Sequence, residues 1–346
     1  MKALEHAALK GLNTLSVEAS AKLLLTIETE EDLLSVPALD TKRDFVLGGG
    51  SNVVFLTDVP GTVFLNRIAG IEIIEEHDDH ALIEVGAGEN WHKLVRWSLE
   101  EGFSGLENLS LIPGLAGAAP VQNIGAYGVE LSSVLKGITA WDWQKANWAV
   151  FSKDDCMFDY RDSRFKSAQP GRYLITSIRL QLARHFTPHL QYSGLREELR
   201  AMGIIKPGPK QVSDAVIRIR QRKLPDPARS ANAGSFFKNP VLGLDEAAAL
   251  QQRYPELPSW PQGSAALKLS AGWMIEYCGM KGFRQGDAAV SAQHSLVLIN
   301  HGSASGREIT DLAHKITTTV FEEFGIKLEQ EPVAVCFHAT EIEDAC

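Results

Sequence analysis

The amino-acid sequence predicts an α+β fold divided between two domains. The chain has 346 residues, which corresponds to about two domains at ~150 residues each. Up to residue 222, short apolar runs separated by glycines and turn residues dominate, as is typical of strands. From residue 223 onward, helical periodicities alternate with short strand-like runs, so we expect a second domain that mixes helices and strands.

Apolar runs and helical spacings predict the elements in order. In the first domain, strands are expected at 45–47, 53–56, 71–75, 81–85, 138–143 and 172–182. A helix is expected from Trp91 to Leu99, ending at Gly102, and another over 212–220, stopped by Pro225 and Pro227. Segment 185–210 has weak patterning. In the second domain, helices are expected at 245–253, 270–278 and 307–324, and a buried strand at 294–300.

Composition excludes several classes of protein. The 34 Lys+Arg and 43 Asp+Glu residues give a net charge of −9, which argues against a nucleic-acid partner because nucleic-acid binders carry a basic face. No apolar run approaches the ~18 residues of a membrane span. The N-terminus lacks the apolar stretch of a signal peptide. The four cysteines have no metal-ligand spacing. We therefore expect a cytoplasmic protein with no metal and no membrane or nucleic-acid partner.

Two glycine-rich segments suit a ligand with phosphates and a flat ring. In the first, residues 48–52, consecutive glycines can turn successive N–H groups toward one anion, although for three glycines alone an ordinary hairpin turn is the favoured explanation. In the second, residues 112–128, small residues leave bare backbone on which a planar ligand can lie, and Gln122 and Asn123 can offer amides to a ring edge. The alternative is a tightly packed structural loop. The dinucleotide-binding, P-loop and zinc-protease motifs are absent.

These segments occur in an order that resembles one enzyme family. Together with 160–163 (YRDS), 233–240 (AGSFFKNP) and 328–331 (LEQE), they resemble the UDP-N-acetylenolpyruvoylglucosamine reductases of peptidoglycan synthesis, in the type with an extra tyrosine-bearing loop. Any one motif is weak, but the ordered set extends from about residue 45 to 336. The resemblance implies non-covalent FAD, NADPH as co-substrate, a monomer, and reduction of an enolpyruvyl ether on a UDP-sugar.

The resemblance also implies the domain organisation. We expect an FAD-binding domain of the vanillyl-alcohol-oxidase (PCMH) type over 1–222, built from α+β subdomains 1–68 and 69–222, with a substrate loop near 185–210. A smaller α+β substrate-binding domain is expected over 223–328. Segment 329–346 is expected to return to the active site.

Three residues match the family's catalytic positions. Arg161 is expected to bind the substrate carboxylate, for which the guanidinium fork is well suited. Ser235 is expected to donate the proton, and Glu331 to stabilise the developing enolate. The alternatives are a surface ion pair of Arg161 with Asp159 or Asp162, a turn-capping serine, and a solvated acid at a strand end.

The remaining matches concern binding. The expected FAD contacts are Gly48, Gly49, Gly50, Ser51, Asn52, Ile112, Pro113, Gly114, Gly117, Ala118, Asn123, Gly125, Tyr127 and Gly128. The expected UDP-sugar contacts are Tyr192, Arg220, Lys223, Asn239, Trp260, Lys268 and His294.

Some positions depart from the family pattern. Ala118 and Ala119 replace small hydroxyl residues, Trp260 and His294 stand where a tyrosine and a glutamine are expected, and Pro332 replaces a β-branched residue.

Two other functions fit parts of the pattern. Another flavin-dependent oxidase of the same fold would often attach FAD covalently through His or Cys, so the flavin would stay on the denatured chain. A non-catalytic UDP-sugar-binding protein would be colourless when purified.

Overall fold

The computed structural model describes residues 1–192 and 194–337, so part of the predicted C-terminal segment, 338–346, lies outside the described residues. The chain divides into two compact units. Unit 1 comprises residues 1–7, 21–50 and 59–222, and unit 2 comprises residues 8–20, 51–58 and 223 to the C-terminus. The predicted domain boundaries remain predictions.

Strands outnumber helices in both units. The strands are β1 Lys2–Ala8, β2 Ser20–Ile27, β3 Phe45–Leu47, β4 Val53–Phe55, β5 Val59–Asn66, β6 Ile71–Glu76, β7 His80–Gly86, β8 Gly125–Ala126, β9 Val129–Glu130, β10 Leu135–Asp142, β11 Asn147–Ser152, β12 Tyr173–Ala183, β13 Ala231–Ser235, β14 Val241–Gly243, β15 Ser259–Gln262, β16 Ala266–Leu269, β17 Arg284–Gln285, β18 Ala288–Val290, β19 Val297–Asn300 and β20 Val333–Val335. The α-helices are α1 Trp91–Glu100, α2 Leu195–Ala201, α3 Pro209–Lys223, α4 Leu244–Arg253, α5 Ala271–Tyr277 and α6 Gly306–Phe324.

Two sheets build unit 1. One has the order β1-β2-β5-β3, in which β2, β5 and β3 run parallel. The other is antiparallel, in the order β11-β10-β12-β7-β6. Along β7, Ala81, Ile83 and Val85 are buried while their neighbours are not, which is the period-two pattern of a half-buried strand. Helix α1 packs Trp91, Leu94, Val95 and Leu99 into the same core, so the predicted helical stripe is confirmed.

Unit 2 carries two antiparallel sheets, β13-β19-β18-β17 and β14-β16-β15, and a parallel pair of β4 with β20. The predicted helix at 307–324 is confirmed as α6. Ser305 and Glu308 form a capping box at its start, and Gly325 ends it in the left-handed conformation with φ of 72°. No helix in the described part of the chain is both long and apolar enough to cross a membrane.

Several elements differ from the sequence-based expectation, among them the following four. Strands β1 and β2 were not predicted. Segment 185–210 contains α2, whose Leu195 and Leu199 pack against α3. The strand expected at 294–300 begins only at Val297, because His294 forms a turn: its Nδ1 accepts from the Leu296 N–H at 3.2 Å and its carbonyl from the Val297 N–H at 3.0 Å.

Candidate functional site

The two glycine loops of the sequence analysis meet in unit 1. The turn at Gly48–Gly50 follows β3, and Gly49 lies against Gly114 of the second loop. A Cβ placed on Gly49 would be 2.9 Å from the Gly114 Cα, closer than side-chain carbons approach a backbone. Ala118 lies 3.7 Å from the position of a Cβ on Gly48. Bare backbone on both sides is the surface that a planar or phosphate-bearing ligand requires.

Backbone hydrogen bonds fix the second loop on unit 1. Trp91 N–H donates to the Gly114 carbonyl at 3.1 Å, and Ala116 N–H donates to the Glu89 carbonyl at 2.8 Å. Gly117 N–H donates to the Ala87 carbonyl at 2.9 Å, and a Cβ on Gly117 would overlap the Ala87 side chain. Glycine at 117 is therefore a packing requirement.

A partly buried arginine, Arg67, holds the first glycine turn and was missed by the sequence analysis. Its Nη1 donates to the carbonyls of Gly48 at 3.0 Å and Asn66 at 2.8 Å. Burial lowers the pKa of Arg67, so the protein holds a partly desolvated cation beside the turn. A signal existed in the sequence, since Arg67 follows an apolar strand where a charge is unexpected.

We expect Arg67→Met to weaken FAD binding about tenfold, because it removes the donors that fix the Gly48 carbonyl and a partly buried positive charge near the turn predicted to bind the diphosphate. The measurement is a titration of FAD-stripped protein with FAD. Arg179→Met is the matched control, because Arg179 also lies in unit 1 but pairs with Glu84 on the sheet at 2.6 Å. Wild-type affinity in Arg67→Met would contradict the role of Arg67.

Strained backbone occurs in and beside the second glycine loop. Four of the eight described non-glycine residues with positive φ lie there, namely Leu111, Asn123, Tyr127 and Arg161, at 59°, 43°, 51° and 55°. Each such residue costs about 1–3 kcal/mol, and clusters of them are typical of functional sites. Asn123 is fixed by its own side chain, which donates to Glu130 at 2.9 Å and accepts from the Ser132 N–H at 3.1 Å. Its amide is therefore engaged within the protein, and a cofactor contact would come from its main chain.

Arg161 is fixed against the second glycine loop. Its Nη2 donates to the Gly125 carbonyl at 2.5 Å, and its guanidinium lies 5.4 Å from the Tyr160 ring centroid. A Cβ on Gly125 would come within 2.8 Å of Arg161 Nη1, so only glycine leaves room for the guanidinium. Ser163 ties the same turn to the loop by donating to the Val121 carbonyl at 2.6 Å.

Arg220 lies near Arg161 and two tyrosines. It is desolvated, and its buried Nε has no hydrogen-bond partner in the described part of the chain. Burial lowers the pKa of Arg220 and repulsion from Arg161 lowers it further, whereas burial raises the pKa of Tyr127 to about 12. Two guanidinium groups that interact electrostatically beside a protonated tyrosine are a set of donors suited to an anion.

Tyr192 belongs to the same cluster. Its ring contacts Tyr127 edge to face, with 4.9 Å between centroids. Asn108 fixes this geometry, since its Nδ2 donates to the Tyr127 carbonyl at 2.8 Å and to the His189 carbonyl at 2.9 Å. The segment carrying Tyr192 is thus bound to the second glycine loop through Asn108, a residue that the sequence analysis did not single out.

Unit 2 brings Ser235 and Glu331 onto adjacent segments. Glu331 N–H donates to the Phe236 carbonyl at 2.9 Å, and Phe237 pairs with Gln330. Ser235 follows Gly234, whose φ is 72°, and it ends β13 where the pairing with β19 shifts register. Both side chains are partly exposed, so they can reach a bound molecule.

Asn52, which follows Ser51 in the first glycine turn, joins this part of unit 2. Its Nδ2 donates to the Glu331 carbonyl at 3.3 Å, and its carbonyl accepts from the Val333 N–H at 2.9 Å. Strand β20 then runs beside β4, with Val333 opposite Val53. Within unit 2, the segment at 329–335 is therefore held on residues 52–55.

The other predicted substrate residues lie at four places in the fold. Trp260 and Lys268 are opposite each other on β15 and β16, and Asn239 accepts from the Ala271 N–H at the start of α5 at 3.0 Å. His294 makes the turn before β19. Lys223 is exposed at the end of α3. Among the described residues, no group of His, Cys, Asp and Glu side chains has the arrangement of a metal site.

The chain is similar to known proteins along almost its full length. A model of the FAD-binding domain matches residues 21–145, and a model of the C-terminal domain of UDP-N-acetylenolpyruvoylglucosamine reductase matches residues 226–335. The reductase of that name from Xanthomonas oryzae is 47% identical over 338 residues, covering 96% of this chain and 99% of that protein. The reductase from Pseudomonas aeruginosa is 46% identical over 331 residues, covering 95% and 97%.

A solved structure of the same kind also matches. The crystal structure of the UDP-N-acetylenolpyruvylglucosamine reductase of Thermus caldophilus has a TM-score of 0.67 to this chain at 26% identity, and the match covers 97% of this chain and 98% of that one. The predicted α+β arrangement, an FAD-binding domain followed by a smaller C-terminal domain, is confirmed.

Proposed function

Because the chain belongs to the UDP-N-acetylenolpyruvoylglucosamine reductase family, we propose that it reduces the enolpyruvyl group of UDP-N-acetylglucosamine enolpyruvate to UDP-N-acetylmuramate, with NADPH as the reductant, in peptidoglycan synthesis. Bound FAD supplies the two-electron carrier between NADPH and the alkene. The observation that supports the proposal most is the pairing of the Ser235 and Glu331 segments through Phe236.

The residues of unit 1 fit FAD. The glycine turn and the second glycine loop meet at Gly49 and Gly114 with no side chain between them, and Arg67 holds a positive charge beside the turn. We propose that Gly48–Gly50, with Ser51 and Asn52, bind the diphosphate. The residues we assign to the rest of the cofactor are Ile112, Pro113, Gly114, Gly117, Ala118, Asn123, Gly125, Tyr127 and Gly128.

The chemistry of the substrate defines three catalytic roles. Hydride addition to the terminal carbon of the alkene leaves negative charge on the carbon bonded to the carboxylate. A cation must offset this charge, and a proton must finally neutralise it. We assign the cation to Arg161, the proton transfer to the Ser235 hydroxyl, and stabilisation of the enolate to Glu331. The serine hydroxyl is a weak acid, so it transfers its proton only as the adjacent carbanion forms.

The nucleotide diphosphate needs its own cations. Arg220 has a buried Nε with no hydrogen-bond partner among the described residues and interacts with Tyr192, which suits a phosphate oxygen. We assign the remaining contacts with the UDP-sugar to Lys223, Asn239, Trp260, Lys268 and His294. We propose that residues 1–222 bind FAD and 223–328 bind the sugar nucleotide. A cytoplasmic location and a monomeric state complete the proposal.

The visible spectrum of the purified protein tests this function. It is recorded before and after addition of NADPH, and again after addition of the enolpyruvyl substrate. We expect a non-covalent flavin that is released on denaturation, bleaching by NADPH in the absence of substrate, and recovery of colour on addition of the enolpyruvyl substrate. Flavin retained by the denatured chain would indicate a covalent flavin oxidase. A colourless protein that binds a UDP-sugar would indicate the non-catalytic alternative.

A further inference from the structure

Leu111 enters the second glycine loop in a conformation that leucine avoids. Its φ of 59° places Cβ close to the carbonyl oxygen that follows, a clash that glycine does not have. Its N–H donates to Nδ1 of His92 at 3.0 Å. His92, on the first turn of α1, therefore accepts the hydrogen bond of the strained Leu111. Leu111 directly precedes Ile112, the first residue of the proposed FAD loop.

The surroundings of His92 keep its ring neutral. Arg96 lies on the same helix as His92, and Arg220 lies on α3. Burial of the His92 ring and the positive charges of both arginines lower the pKa of His92. Arg96 is itself paired with Asp214 of α3 at 2.9 Å. Since the neutral ring carries one hydrogen, acceptance from Leu111 at Nδ1 places that hydrogen on Nε2.

We propose that neutral His92 is a positioning residue for FAD binding: its Nδ1 holds Leu111 in the left-handed conformation, and this fixes the start of the loop over 112–117 on which the cofactor lies. The inference rests on the proposed function, because it takes the second glycine loop as the FAD site. His92 acts through Leu111 and does not itself contact the reacting atoms.

A dependence on pH follows. The pKa of His92 is lowered, so the neutral ring persists below the ordinary titration range of histidine. As the pH falls through the lowered pKa, Nδ1 gains a proton and can no longer accept from Leu111. The positioning is therefore present at neutral pH and lost on the acid side.

The experiment measures FAD affinity in FAD-stripped protein, by quenching of flavin fluorescence, between about pH 8 and pH 5. The variants are His92→Asn, whose Oδ1 can take the place of Nδ1, and His92→Leu, which has no acceptor. His314→Leu, an exposed histidine on α6, is the matched control. Thermal unfolding of each stripped protein shows whether it is folded.

We expect His92→Leu to bind FAD about ten- to a hundredfold more weakly at neutral pH, because the partly buried Leu111 N–H loses its acceptor. His92→Asn should stay within about threefold of wild type and should lack the acid-side loss of affinity that wild type shows.

Three results would overturn the inference: wild-type affinity in His92→Leu, equal weakening in His92→Asn and His92→Leu, or a wild-type pH profile in His92→Asn. If His92→Leu does not fold, the profile of His92→Asn decides. Failure of the wild-type protein to bind FAD would instead refute the proposed function.

Discussion

Replacing Ser235 with alanine is expected to leave reduction of the bound flavin by NADPH near the wild-type rate and to slow reoxidation by the enolpyruvyl substrate by about 10²–10⁴-fold, the usual contribution of a positioned proton donor. The asymmetry arises because only the second half-reaction protonates carbon. Stopped-flow absorbance of each half-reaction, measured separately, checks this result.

The structure makes Ser235→Ala a clean test. Phe236 and Phe237 are buried and anchor the segment, Phe236 N–H donates to the Leu296 carbonyl at 2.7 Å, and these contacts do not involve the Ser235 side chain. Ser230→Ala, five residues earlier, serves as the control and should be normal in both half-reactions. Equal slowing of both half-reactions by Ser235→Ala would refute the proton-donor role.

Helices with complete local signals were predictable from sequence. Helix α6 carries its cap residues and buried stripe within twenty residues, and α1 carries Asn90, the apolar set from Trp91 to Leu99, and Gly102. In both cases the information that defines the element is contained in the element itself. Strand β2 was missed because it pairs with the distant β5, and β1 is an edge strand whose neighbour in the sheet is β2.

The site was predictable only in part, for the same reason. Glycine content and motif order located the two loops, but their contact at Gly49 and Gly114 joins residues far apart in the chain. Arg67, Asn108 and His92 each act on the backbone of a residue distant in sequence. Apart from the charge of Arg67 after an apolar strand, no local pattern marks them. His294 breaks the expected strand because its ring and carbonyl both accept from the residues that follow it.

Replacing Arg161 with lysine is expected to weaken binding of the enolpyruvyl substrate about 10²-fold while NADPH still reduces the flavin. Lysine keeps the charge, so any loss reports the fork of donors, which can bind a carboxylate with two hydrogen bonds. In the protein that fork is pre-oriented: Nη2 donates to the Gly125 carbonyl at 2.5 Å, and the guanidinium faces Tyr160. A lysine ammonium is a compact charge and cannot present two parallel N–H donors to a carboxylate.

The measurements for Arg161→Lys are KM for the enolpyruvyl substrate and the rate of flavin reduction by NADPH. Arg164→Lys is the matched control. Arg164 follows Arg161 by three residues, and its guanidinium lies 5.5 Å from the Phe151 ring centroid. Its replacement should leave both KM and the rate of flavin reduction unchanged. If KM stays at the wild-type value both in Arg161→Lys and in Arg161→Met, Arg161 does not bind the carboxylate, and Arg220, whose buried Nε has no hydrogen-bond partner among the described residues, becomes the candidate cation. A double-mutant cycle then separates the two roles, because the losses of two cations that bind one anion are non-additive, whereas the losses of cations that bind separate anions add.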